Sequence, residues 1–284
     1  MKNIIISKPK NDSVIAQLSS LYNTFKNVSF GDNLEFNLSL LDWVCPSLIL
    51  PISAYINSTR SSYKTDNCGI KSYLEKISFP RGVNSISLFQ YRTQKYKSYI
   101  PISVLKKESG IERERLESLF SEKIYETLGN VPGAQSAVVY PISELATNIF
   151  EHSKKDSGFI FGQFYPKKNY LDICIVDCGR GFAAAYKEEK NLNLTDAEAI
   201  NQAILGNSVK KDRERGYGIR TSKNVVCHAL KGGSFVLISG SCALLSTGKA
   251  EKLVSLPKFY WQGTIIAYRI PKPLGPIDIS GYYE

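Results

Sequence analysis

The chain has 284 residues, of which 43% are hydrophobic and 22% charged, with a net charge of +10. Such a length carries one large domain or two ordinary ones, and the composition excludes a disordered or fibrous chain. No apolar run is long enough to span a bilayer, and the opening MKNIIISKPK lacks a signal peptide's apolar core, so no membrane association and a cytoplasmic location are expected.

The six cysteines (Cys45, Cys68, Cys174, Cys178, Cys227 and Cys242) form no CxxC pair and no zinc-ligand pattern with the two histidines. Reduced thiols are therefore expected. The positive charge raises nucleic acid as a partner, yet the basic residues are scattered. Their one dense group, KKDRER at 210–215, has no interleaved aromatics. Nucleic acid is not the expected partner.

In chain order, NIIIS (3–7) predicts a short strand. Residues 12–27 predict a helix, with Val14, Leu18, Leu21, Tyr22 and Phe25 at helical spacing and a cap within Asn11–Ser13. NLEFNLS (33–39) alternates as a strand does. CPSLILPISAYINS predicts a buried helix whose Pro51 must sit in the first turn or kink it. GVNSISLFQY (82–91) reads as a further strand. This alternation suggests a small α/β regulatory or docking domain over residues 1–108, with its boundary in the KKESG turn.

Residues 109–284 form the second expected unit. IERERLESLFSEKIYETLG is a charged amphipathic helix with Ile111, Leu116, Leu119, Phe120, Ile124 and Leu128 on its apolar side, ended by Gly129. A helix over 142–152, strands at 158–165 and 170–177 and a glycine loop CGRGF follow. TDAEAINQAILG (195–206) carries a helix-cap signature, and IRTSKNVVCHALKGG reads as a helix closed by glycines. GSFVLISG and GTIIAYRIP are expected as paired strands. The expected fold class is α+β, with helices laid against a largely antiparallel sheet.

The stretch SELATNIFEHS (143–153) sets Glu144, Asn148 and His152 four residues apart, on one helical stripe. Taken alone, that is the wet face of an ordinary amphipathic helix. No GxxxxGK[ST] loop and no strand-borne GxGxxG occurs. Three other features follow the helix: Asp177-Cys178-Gly179-Arg180-Gly181 at a strand end, Arg215-Gly216-Tyr217-Gly218 opening a helix, and Gly263-Thr264 at a final strand. A strand-end carboxylate beside glycines can accept a hydrogen bond from an amine-bearing ring. Glycines at a helix start expose N–H groups that suit phosphate. An asparagine oxygen is a hard, neutral ligand for Mg²⁺, and a carboxylate one turn before it can orient a water or hydroxyl.

In this order and spacing the motifs resemble those of the GHKL ATP-binding superfamily, nearest in character to the anti-sigma-factor serine kinases and stand-alone bacterial relatives. ELATNIFEH looks like that family's N box, DCGRG its DxGxG box, RGYG its second glycine box and GTIIAYRIP its closing strand. The likeness covers about residues 112–271 and implies a two-layer Bergerat-type ATP-binding fold with ATP and Mg²⁺ as cofactors. It implies Glu144 as general base or water orienter and Asn148 as the metal ligand. Asp177 would read the adenine amino group, with Thr264 beside it. Gly179 and Gly181 would lie on the adenine side, and Arg215, Gly216, Tyr217 and Gly218 on the phosphate side. His152 shares the Glu144–Asn148 stripe and either faces phosphate or packs. Residues 183–215 would be a mobile lid.

The implied function is a Mg²⁺-dependent ATP-binding regulator with slow hydrolysis or serine-kinase activity, acting on a regulatory protein partner, with a homodimer open. The alternative is a non-catalytic, nucleotide-gated scaffold. No histidine precedes position 152, which argues against a sensor histidine kinase. NLEFNLSLLDWVCPSLILPISAYI resembles a STAS-type segment, a protein-binding or sensing module.

Overall fold

The computed structural model describes residues 2–93, 98–107, 110–129, 131–207 and 218–282. It is a mixed α+β structure containing two sheets. The smaller is parallel, in the order β1 (Lys2–Ile5), β2 (Leu34–Asn37), β3 (Ser62–Lys64). Helix α1 (Val14–Phe25) starts at Ser13, whose hydroxyl accepts from the Ala16 N–H. Helix α2 (Pro46–Ser58) is buried at every residue from Pro46 to Tyr55. A helix apolar all round must be covered on all sides, and α2 lies between the small sheet and the large one. Pro46 occupies its first turn, whereas Pro51 sits inside the helix.

After α3 (Lys71–Lys76), the expected strand over 82–91 is instead a helix, α4 (Ile86–Arg92). Ser85 caps it by accepting from the Leu88 N–H, and a single bridge from Val83 to Ser103 is all that remains of a strand. Strand β4 (Tyr99–Lys106) then pairs with β5 (Ser157–Tyr165), so the large sheet begins ahead of the KKESG turn.

The large sheet is antiparallel throughout, in the order β4, β5, β6 (Tyr170–Asp177), β10 (Trp261–Pro271), β7 (Ser234–Gly240), β8 (Cys242–Thr247), β9 (Glu251–Ser255). On one face Cys174, Val176, Val236, Ile238 and Ile265 meet the N-terminal layer. On the other, Ile173, Ile175, Leu237, Ile266 and Tyr268 meet α5 (Gly110–Leu128), α6 (Ala134–His152) and the helical segment α9 (Gly218–Asn224), which continues as a π turn over Val225–Ala229. In α5, Leu116, Phe120, Ile124 and Leu128 are buried as expected, but Ile111 is exposed. Helices α7 (Gly181–Lys190) and α8 (Asp196–Ile204) occupy the first part of the segment expected as a lid, and Tyr186, Ile200 and Ile204 are buried there. Thr195 and Glu198 close a capping box at the α8 start.

Candidate functional site

The site is built on α6, which runs from Ala134, eight residues ahead of its expected start, with Pro141 inside it. Ile142, Leu145, Ala146 and Ile149 face the core and are buried. Glu144, Asn148 and His152 lie on the adjoining stripe and are half-buried. The amide nitrogen of Asn148 is buried and has no hydrogen-bond partner among the described residues. An orphaned donor of that kind costs about 1–3 kcal/mol, so it calls for an account.

Strand β6 ends at Asp177. Leu171, Ile173 and Ile175 point to the α6 side, and the two-residue period carries the Asp177 side chain to the same side. In β10 the same logic aims Thr264 there, and Thr264 is the direct cross-strand partner of Asp177. The Asp177 carboxylate accepts from the Gly179 N–H at 2.8 Å. The hydroxyl and backbone N–H of Thr264 lie near enough to lower its pKa. Burial pushes its pKa up to about 7, against the pull of these donors and the nearby Lys155 ammonium. A carboxylate offers four lone-pair positions, so with the Gly179 N–H on one of them acceptor capacity remains for a ligand amine.

Glycine is required at two places here. A Cβ on Gly179 would lie 2.3 Å from the Ser153 carbonyl oxygen, which presses the loop after β6 onto the end of α6. Gly263, at φ +109°, would put a Cβ 2.4 Å from the Asp177 carbonyl oxygen and 2.7 Å from its Oδ1. Both close approaches tighten the surroundings of the Asp177 carboxylate.

Arg180 locks the same loop. Its backbone N–H donates to the Ser153 carbonyl at 3.1 Å and its Nε to the His152 carbonyl at 2.7 Å. The guanidinium then turns back along α7 to Glu188 and Glu189, at 2.6 and 2.9 Å. Gly181 begins α7 at φ +73°.

At the other end of the stripe, Gly218 opens α9 against Glu144. A Cβ at 218 would lie 2.3 Å from Glu144 Oε2. The expected site residues thus fall into two groups along one helix. Asp177, Gly179 and Thr264 gather where α6 ends, and Gly218 meets Glu144 two turns earlier, with Asn148 between. His152 is the last residue of α6 and joins the Arg180 loop through its backbone carbonyl. Arg215, Gly216 and Tyr217 lie outside the described residues, as does the KKDRER group.

Sequence reasoning missed three contributors. Ser153 accepts the glycine loop, Lys155 faces Asp177, and the buried Trp261 donates its indole N–H to the Asp177 carbonyl at 3.0 Å. Ser153 and Lys155 adjoin the α6 motif and could have been read as its continuation. Trp261 acts on a backbone atom 84 residues away, which no local spacing reveals.

Among the described residues, no group of three or more His, Cys, Asp or Glu side chains is set to hold a metal ion, and no helix is long and apolar enough to cross a membrane. Comparison with protein-family models, with curated proteins and with solved structures finds no match to this chain.

Proposed function

We propose that the chain binds a purine nucleoside triphosphate, ATP, together with Mg²⁺, along the half-buried polar stripe of α6 in a Bergerat-type site. The observation that carries this reading is the bracketing of one helix. A buried carboxylate beside glycines lies at its end, a glycine helix start lies two turns earlier, and an unpartnered amide lies between them. The spacing suits a purine at one end and phosphates at the other.

In this reading Asp177 accepts from the purine 6-amino group while Thr264 and the Gly179 N–H hold the carboxylate. Asn148 supplies the hard oxygen ligand for the ion once its amide turns, which also gives its orphaned nitrogen a phosphate to meet. Magnesium would supply charge neutralisation at the phosphate oxygens. Glu144, beside Gly218, orients a water or a partner's hydroxyl and receives its proton. The protein is then a cytosolic nucleotide-dependent regulator acting on a protein partner, through slow hydrolysis or serine phosphorylation.

The contact of Glu144 with Gly218 favours a second reading, a nucleotide-gated scaffold, because a carboxylate packed against backbone can be held away from phosphate. Nucleotide affinity and phosphate release of wild type and Glu144→Gln separate the two. The catalytic reading expects equal binding, with turnover in the wild type alone. Binding by both with turnover or phosphotransfer by neither leaves the scaffold. Binding by neither overturns both.

A further inference from the structure

We infer that Trp261 is a positioning residue for purine recognition, and that through it the N-terminal layer sets the preference of the site for a 6-amino purine. The inference rests on the purine-reading role of Asp177 and goes beyond it, to how that group is held. The Asp177 carboxylate faces the helices, but its carbonyl oxygen accepts the Trp261 indole N–H at 3.0 Å. The β6–β10 ladder starts at the Thr264–Asp177 pair, and just beyond it β10 shifts register against β7 between Trp261 and Thr264, which is where the indole N–H reaches the Asp177 carbonyl. Trp261 therefore adds a side-chain hydrogen bond to the strand end that carries the carboxylate.

The indole is itself held from the opposite side. Its ring meets Phe25 of α1 edge-to-face, with centroids 5.2 Å apart. Phe25 in turn packs on Phe36 of β2 and Tyr55 of α2 at 5.8 and 5.5 Å. The next residue of the loop, Cys178, points into the same layer and meets Ser58 at the end of α2. The strand end bearing Asp177 is thus backed on that face by Trp261 and the N-terminal side chains packed on it, so that α1 reaches the site through the indole.

Binding of ATP and of inosine triphosphate, in which a 6-oxo group replaces the amino donor, tests this in the full chain with Mg²⁺. In Trp261→Phe, which keeps a ring against Phe25 and removes the N–H, the preference for ATP over inosine triphosphate should fall about fivefold, the scale of one neutral hydrogen bond. Affinity for inosine triphosphate should stay as in wild type. Phe25→Leu, remote from the nucleotide, should shift the preference the same way. An equal loss for both nucleotides, or an unchanged preference, overturns the inference while leaving the reading of Asp177 standing. A wild type that binds both alike overturns the two together. Should Trp261→Phe fail to fold, Trp43→Phe leaves Trp261 as the sole tryptophan of the chain's two. Its emission should then change on saturation with ATP, and an unchanged emission overturns the inference.

Discussion

Glu144 and Gly218 are in contact across two helices: a methyl group on Gly218 would sit 2.3 Å from one carboxylate oxygen and 3.4 Å from the Glu144 Cβ. Gly218→Ala must therefore displace the far end of the glutamate. The alanine gains about 0.5–1 kcal/mol of helix preference, which offsets the crowding, so the melting temperature should change little. Phosphate release should drop about a hundredfold, as for a catalytic group moved by an ångström. Thermal melting beside a phosphate-release assay checks this, and a variant as active as wild type would remove Glu144 from the chemistry.

Asn148 makes a prediction of unusual sign. Its buried amide nitrogen has no partner among the described residues, so a role in stability alone would make it a poor choice. Asn148→Ala should leave the ligand-free protein as stable as wild type, or more stable by about 1 kcal/mol, since an orphaned donor disappears and helix propensity improves. The same variant should lose its stabilisation by ATP and Mg²⁺. Urea unfolding with and without nucleotide reads both effects.

Asp177 should make nucleotide binding depend on pH. Burial pushes its pKa up to about 7, and the ionised form is the better acceptor for the purine amine. Affinity should fall about tenfold per pH unit below 7 and level off above it. Ligand-free stability runs the other way. Between the ordinary carboxylate range and about 7 the unfolded chain has released a proton that the folded chain still holds, so stability declines as pH rises through that window. Asp177→Asn should abolish both trends, measured by calorimetry and by unfolding at a series of pH values.

The N-terminal layer is tied to the large sheet by Arg269. Its guanidinium meets the Asp172 carboxylate at 2.6 and 2.8 Å, donates to the Asp12 carbonyl at 2.9 Å and stacks 3.7 Å above the Tyr170 ring. Burial raises the pKa of Asp172 and the arginine opposes it. Arg269→Leu strands that buried acid and should cost about 3 kcal/mol, whereas Asp172→Leu with Arg269→Leu should recover most of the loss. Denaturant unfolding of the two variants decides it.

Much of the second half was legible because its motifs are local. The α6 stripe, the buried run of β6 with its glycine loop, and the capped α8 all carry their signals within a dozen residues. The pairing of Asp177 with Thr264 joins residues 87 apart, and only the order of the motifs suggested it. Strands β8 and β9 escaped notice, and β9 is an exposed edge carrying Glu251 and Lys252, with little apolar pattern to read. In residues 82–91, Val83, Ile86 and Leu88 gave apolar positions that suit either period, and the Ser85 cap decided for helix. Strand β4 carries Pro101, which is tolerated because β4 is an edge.

Calorimetric titration of wild type and Asp177→Asn with a non-hydrolysable ATP analogue and Mg²⁺ tests purine recognition by Asp177. One site per chain is expected in the wild type, and a loss of tenfold or more in the variant with its circular dichroism spectrum unchanged. Absence of binding heat in the wild type, or equal affinities in the two proteins, would contradict it.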